Sequence, residues 1–227
     1  VRSTHWARGY INMAAHYPDD LALQISCRDK AAIALHTLLD IVNNVLDMSK
    51  LEAGRLDIKE EPFDLAELMN EVAALMDSQV MQTGLVHRKH RGTIRHTALY
   101  GSSLQLRRIM LNLMSNSVKY NKPNGTIDTY ATEISDDGET ALYEFRIVDS
   151  GIGMSREFIE NELFKPFTQE ENDARTQYRG TGLGMSIVKA LIDRLGGTIK
   201  VESTLGEGTD ITYQLLFKID KNASEQS

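Results

Sequence analysis

A single cysteine, Cys27, leaves the chain no internal disulfide and excludes a metal site built on thiolates, so a reducing compartment is the natural reading. Long apolar runs are missing too. The most apolar stretch, Ile33 to Leu46, is broken by His36, Asp40, Asn43 and Asn44, well short of the roughly 20 apolar residues a bilayer requires, and no direct membrane contact is expected. Arg2, His5 and Arg8 stand where the apolar core of a signal peptide would lie. Basic charge is in deficit, 25 residues against 32 acidic ones for a net charge of −7, which argues against nucleic acid as a partner because phosphates need a basic surface. Proline is scarce, and neither it nor glycine falls between Asp20 and Leu51. The rest is ordinary globular composition over 227 residues, enough for one sizeable domain plus an appendage.

The proline-free stretch from Asp20 to Leu51 carries Leu35, Leu38, Leu39, Val42, Val45 and Leu46 at the spacing of an amphipathic helix, with Gly54 as its stop. Upstream, Trp6 to His16 reads as a short helix, and Tyr17-Pro18-Asp19-Asp20 as a turn ending in a cap. The two form a lopsided hairpin, about 48 Å against about 17 Å long, so much of the apolar stripe lacks a partner within the chain. A coiled-coil-like seam with a second copy, more helix before Val1, or both, would cover it.

Past a boundary near Gly54, Leu56 to Glu61 alternates as a short strand before Pro62, and Phe63 to Met76 has helical spacing. The basic run His87-Arg-Lys-His-Arg91 reads as a solvated loop or edge strand. Leu104 to Tyr120 is a strong helix stopped by Pro123-Asn124-Gly125. Thr126 to Ile134 and Ala141 to Val148 form a hairpin, Leu183 to Leu195 a helix closed by Gly196-Gly197, and Thr198 to Thr204 and Thr209 to Phe217 a second hairpin. This order describes an α+β fold, a two-layer sandwich with one mixed sheet covered by helices on one face and preceded by an α-helical hairpin. Residues 1–54 are the hairpin, 55–220 the main domain and 221–227 a polar tail.

Nine of the 16 glycines lie between Gly151 and Gly208, clustered where backbone N–H groups can approach an anion. The Gly180 cluster runs into a helix start, whose partial positive charge favours phosphate. On the helix from Leu104, Asn112 and Asn116 share one face a turn apart, followed by Lys119 and Tyr120. Asparagine in an apolar helix is costly, yet its carbonyl oxygen is a hard ligand suited to Mg²⁺.

These segments resemble, in order, the motifs of two-component sensor histidine kinases of the GHKL ATP-binding superfamily, with hybrid-type sensor kinases the most similar. Asn43-Asn-Val-Leu-Asp-Met-Ser-Lys-Leu-Glu-Ala-Gly54 is similar to the end of the dimerisation hairpin, and Leu106 to Tyr120 to the asparagine box. Asp149-Ser-Gly-Ile-Gly153, Leu163-Phe164-Lys-Pro-Phe167 and Gly180-Thr-Gly-Leu-Gly184 resemble the first glycine box, the phenylalanine box and the second glycine box.

The resemblance implies ATP and Mg²⁺ as cofactors. It assigns Asp149 to the adenine amino group, Gly151, Gly153 and Thr209 to the adenine pocket, and Tyr120 to the nucleotide's side. Asn116, assisted by Asn112, would hold Mg²⁺, with Lys119 neutralising phosphate, and these three carry the catalytic role. Gly180, Thr181, Gly182, Leu183 and Gly184 would meet the phosphates. Thr168 to Arg179 corresponds to the ATP lid, with Phe164 and Phe167 either anchoring its entrance or simply packing in the core. Partners implied are a second copy, joined through the hairpin into a homodimer, and a response-regulator receiver domain. The implied location is cytoplasmic, including the cytoplasmic part of a membrane-anchored sensor.

Two features depart from that pattern. Gly9-Tyr10-Ile11 is similar to the stretch that follows the phosphoacceptor histidine by about ten residues, which places the acceptor before Val1 and makes this chain a fragment or a degenerate version. His5 lacks the acid and Arg-Thr-Pro expected beside an acceptor, and His16 and His36 read as hairpin surface or seam residues. Ser102 stands where the family often has aspartate. A non-catalytic nucleotide-binding regulator remains the alternative. A gyrase-like ATPase would need a catalytic acid on the face held by Asn112.

Overall fold

A computed structural model describes residues 2–52, 58–170 and 181–221. The chain divides into two compact units, Val1–Leu56 and Asp57–Ser227. The first is a helical hairpin of α1 (Arg2–His16) and α2 (Leu21–Glu52). Asp20 caps α2, its Oδ1 accepting from Leu23 N at 2.9 Å, and the Gln24 amide bonds the Tyr17 carbonyl at 3.0 Å to fasten the turn. Cys27 and Ala31 are buried between the helices, small side chains where two backbones approach. Leu35, Leu39, Val42, Val45 and Leu46 are exposed along α2, so the apolar stripe is uncovered in the single chain. Of the hairpin histidines, His16 is exposed at the end of α1. The side chains of His5 and His36, and all of residues 53–57, 171–180 and 222–227, lie outside the described residues.

The second unit runs β1 (Glu61–Asp64), α3 (Leu65–Thr83), β2 (Val86–Arg91), β3 (Ala98–Gly101), α4 (Ser103–Lys119), β4 (Thr126–Asp136), β5 (Thr140–Asp149), α5 (Arg156–Asn161), α6 (Gly184–Arg194), β6 (Thr198–Thr204) and β7 (Gly208–Ile219). Its sheet is ordered β1-β3-β7-β5-β4-β2, with β6 on β7. It is mixed, because β2 joins β4 in parallel while the other pairs are antiparallel.

Alternation decides the faces. Ile127 and Ala131 of β4, Ala141, Tyr143, Phe145 and Ile147 of β5, and Ile211, Tyr213, Leu215 and Phe217 of β7 are all buried at odd positions, so one face meets the helices. The helices answer with Leu68, Val72 and Met76 of α3, Leu106, Ile109 and Leu113 of α4, and Ile187, Leu191 and Ile192 of α6. Helix α3 is bounded by Asp64, whose Oδ1 accepts from Glu67 N at 2.8 Å, and by Gly84 at φ 71°.

Two differences from the sequence reading have physical causes. The first strand of the described residues lies at Glu61–Asp64 and not over 58–60, because Pro62 needs no ladder donor on an edge strand, while Leu56 and Asp57 of the expected strand lie outside the described residues. The basic run is β2, the edge strand of the two alternatives. His87 turns inward there, 2.9 Å from Asp77 Oδ1 and 3.0 Å from Thr129 Oγ1, while Lys89 pairs with the other Asp77 oxygen. β3 and α5 are too short to show periodicity.

The core face also holds an acid. The Glu133 side chain is fully buried. It accepts from Arg95 N at 2.7 Å and His96 N at 2.9 Å, and pairs with the Arg95 guanidinium and the His96 ring. Burial pushes its carboxyl up, but the main-chain donors of His96 and Arg95 and the His96 ring outweigh it and hold the group below the usual range. We expect Glu133→Ala to lose about 3 kcal/mol in urea unfolding, from orphaned main-chain donors. Since the folded-state value is depressed, the wild-type advantage should be full above the unfolded-state value and fade as pH falls through the folded one. An advantage that does not change with acid would remove the carboxylate from that role.

Candidate functional site

The alternation that fills the core also places a carboxylate at its margin. Asp149, the last residue of β5, is in register with Ile127 of β4 and Thr209 of β7, so its side chain continues the helix-facing row beyond Ile147. There it meets α4. Ser117 Oγ donates to Asp149 Oδ2 at 3.0 Å, and Gly151 N donates to Oδ1 at 2.9 Å. Burial raises the Asp149 carboxyl above its usual range, only partly offset by the Gly151 N–H, the Ser117 hydroxyl and the Thr209 N–H. An ionised carboxylate accepts at about four positions, so capacity remains for a donor from a ligand.

The loop after Asp149 is clamped from two sides. Ile152 N donates to the Tyr120 carbonyl at 3.0 Å, and Gly206 N to the Ile152 carbonyl at 2.8 Å. Gly153 has φ 65°, and a methyl group there would lie 1.9 Å from the Thr204 carbonyl oxygen, so no side chain fits. Ser203, from β6, ties Met154 N (2.9 Å), the Gly208 carbonyl (2.6 Å) and Thr209 Oγ1 (3.0 Å).

At the other end of the site, α4 faces the start of α6. A methyl group on Gly184 would lie 3.5 Å from Asn112 Oδ1, 3.8 Å from Asn116 Nδ2 and 4.0 Å from Asn116 Oδ1. Asn112 Nδ2 donates to the Arg108 carbonyl at 2.9 Å, which leaves Oδ1 as its outward atom. The donor set fits a hard cation: neutral carboxamide oxygens beside a helix N-terminus that favours an anion. Lys119 Nζ lies 3.1 Å from Tyr120 Oη and 4.8 Å from that ring's centre.

Before α6, Thr181 Oγ1 accepts from Leu183 N at 3.2 Å, and Leu183 is fully buried. Gly182, at φ 71°, takes Phe167 N on its carbonyl at 3.0 Å, and a methyl group there would meet Phe167 C at 2.7 Å. Phe167 itself holds φ 65° and is 67 % exposed, which rules out the core-packing alternative for it. A bulky residue at positive φ is strained. Gly180 and most of the expected lid fall in 171–180, outside the described residues.

Sequence reasoning missed Ser117, Asn121 and Ser203. Ser117 had a signal, a hydroxyl at the buried position four residues after Leu113. Asn121 uses its whole amide: Nδ2 donates to the carbonyls of Ser117 and Thr126, and Oδ1 accepts from Lys122 N and Ser150 Oγ. Nothing in the one-dimensional pattern marks such a knot, nor Ser203.

The raised Asp149 carboxyl has a sign that can be tested without ligand. A group raised in the folded state stabilises below the unfolded-state value and loses that contribution as pH rises through the folded one. The unfolding free energy of wild type minus that of Asp149→Asn should therefore fall as pH rises through the carboxylate range, then level off. A difference that rises instead would place Asp149 in a charge-stabilising setting.

Residues 101–219, more than half of the chain, match the family described as histidine kinase-, DNA gyrase B- and HSP90-like ATPase. The sensor protein GacS of Pseudomonas syringae pv. syringae is 37 % identical over 192 residues, covering 84 % of this chain and 21 % of that protein. The chain thus spans about a fifth of that relative's length. Full-length ShkA in complex with AMPPNP has a TM-score of 0.70 at 24 % identity, over 96 % of this chain and 45 % of that one. ThkA in complex with the response regulator protein TrrA has a TM-score of 0.66 at 18 % identity, over 100 % of this chain and 61 % of that one. The two structures establish the fold, and the family match the class: the chain belongs to the histidine kinase-, DNA gyrase B- and HSP90-like ATPase family, and within it is similar to the sensor protein GacS.

Proposed function

We propose that this chain binds Mg-ATP between β5, α4 and α6 and serves a sensor kinase that transfers the γ-phosphoryl group to a histidine, for relay to a response-regulator aspartate. The observation that carries this reading is the convergence on α4 of two outward carboxamides and a half-dry carboxylate, opposite the start of α6. Asp149 accepts from the adenine amino group, with Gly151, Gly153 and Thr209 shaping the base pocket and Tyr120 along its side. Asn116 and Asn112 present their Oδ1 atoms to the metal, Lys119 swings from Tyr120 to the phosphates, and Thr181 to Gly184 offer main-chain N–H groups to them. Mg²⁺ held by Asn116 and Asn112 would supply charge neutralisation for the phosphates. Gly180, and Phe167 at the lid's base, complete the proposed set.

The hairpin over residues 1–54 is proposed as the dimerisation element, residues 55–220 as the catalytic domain and 221–227 as a tail. The exposed stripe of α2 supports a homodimer, and the complex of the similarly folded ThkA with the response regulator protein TrrA supports a receiver-domain partner. Among the described residues no helix is long and apolar enough to cross a membrane, and a cytoplasmic position follows from the proposed role. A second reading, a non-catalytic nucleotide-binding regulator, is favoured by Lys119 lying against Tyr120 instead of facing the asparagines.

Calorimetric titration of a non-hydrolysable ATP analogue, with and without Mg²⁺ and with a GTP analogue as control, tests the proposal. Adenine-selective, Mg²⁺-dependent binding is expected, and silence with every nucleotide would hand the lead to a degenerate domain. Asn116→Ala should abolish the Mg²⁺ dependence, and a variant that still responds to the metal would locate it elsewhere. Sedimentation of the chain should show self-association, which charged substitutions at Leu39 and Leu46 remove.

A further inference from the structure

Among the described residues Ser117 is the one side chain that holds Asp149, and helix stability does not account for it. It is 3 % exposed on the stripe that α4 otherwise fills with Met110 and Leu113. Alanine there would be the better helix former and would bring no hydroxyl to desolvate. A helical serine ordinarily bonds back along its own helix, whereas Ser117 directs its proton across to Asp149 Oδ2 at 3.0 Å.

The protonation state of Asp149 determines what it recognises. Ionised, a carboxylate only accepts, and protonated, it donates as well. The exocyclic group at the same position is a donor in a 6-amino purine and an acceptor in a 6-oxo purine. Every element around Asp149 contributes identifiable groups: α4 gives Ser117, the following loop Gly151 N–H, β7 Thr209 N–H and β4 the apolar Ile127. Among the described residues no charged side chain enters the balance. Burial drives the group toward its neutral form, and Ser117 is the only side chain drawing it back.

We propose that Ser117 is a positioning residue that keeps Asp149 an acceptor, and through it sets the preference for a 6-amino over a 6-oxo purine nucleotide. The inference rests on the nucleotide reading of the site. It assigns specificity to a residue that need not touch the ligand.

The test follows the Asp149 carboxyl by carbon-detected NMR in the whole chain, as wild type, Ser117→Ala and Ser117→Thr. ATP and GTP analogues are titrated into the same three proteins from mildly acidic to mildly alkaline pH. Ser117→Ala should raise the Asp149 midpoint by about one pH unit. ATP-analogue affinity should drop about tenfold on the acidic side and less on the alkaline side, with a narrower preference over GTP. Ser117→Thr, which keeps the hydroxyl, should restore all three. Should alanine disturb α4, Ser117→Cys, a near-isosteric weak donor, serves in its place. An unmoved midpoint, or an equal loss for both nucleotides at every pH, reduces Ser117 to packing and overturns the inference. If wild type binds neither nucleotide, the proposed function fails and purine selection with it, while the NMR midpoint still decides whether Ser117 tunes Asp149.

Discussion

The Asp149 carboxylate, drawn out of water at the end of β5 and met by donors from α4, its own loop and β7, is the constraint to which the ATPase domain is fitted. Its position follows from strand parity, since the side chain that succeeds Phe145 and Ile147 on the helix-facing row must point the same way. Its donors then fix where α4 ends and how the glycine loop turns. Glu133 shows what the same face does with an acid that has only a structural task. It sits toward the far end of the row, opposite Tyr143, with a cation and a histidine added to its main-chain donors. The two carboxyls are displaced in opposite directions, Glu133 down and Asp149 up. A buried acid left short of partners is the kind that binds something else.

Around it, side chains lock loops instead of filling a core. The Asn121 amide joins the end of α4 to the start of β4 and to Ser150, the residue next to Asp149. Ser203 joins the glycine loop to the β6–β7 turn. These bonds hold main chain, so the pocket's walls are set before any ligand arrives, which limits the ordering entropy of binding. Phe167 is the exception, strained and exposed where the described chain gives way to residues 171–180.

Much of this was legible in the sequence. Helix spacing alone put Asn112 and Asn116 on one face, and Gly184 does face them, whereas the roles of Asp149 and the glycine segments rested on the family resemblance. The helices Leu21–Glu52 and Ser103–Lys119 were read from the spacing of their apolar residues. What could not be read was whatever depends on partners distant in the chain. The sequence left the basic run open between loop and edge strand, and its ion pairs with Asp77 of α3 and Asp128 of β4 come from partners distant in the chain. Glu133 reads as a surface acid until the 92–97 segment folds over it. Ser117 looks like a tolerated substitution until β5 brings Asp149 to it.

The place of β7 has a consequence for how the molecule is made. This strand pairs with β5 on one side and with β6 and β3 on the other, yet it is the last element of the described chain. During synthesis β3, β5 and β6 wait for it, with β3 and β5 presenting open edges that only β7 closes. Closure also joins residues more than a hundred positions apart, Leu99 with Ile219, which slows folding through the entropy of long loops. The nascent domain therefore passes through a window in which its sheet is two separate halves.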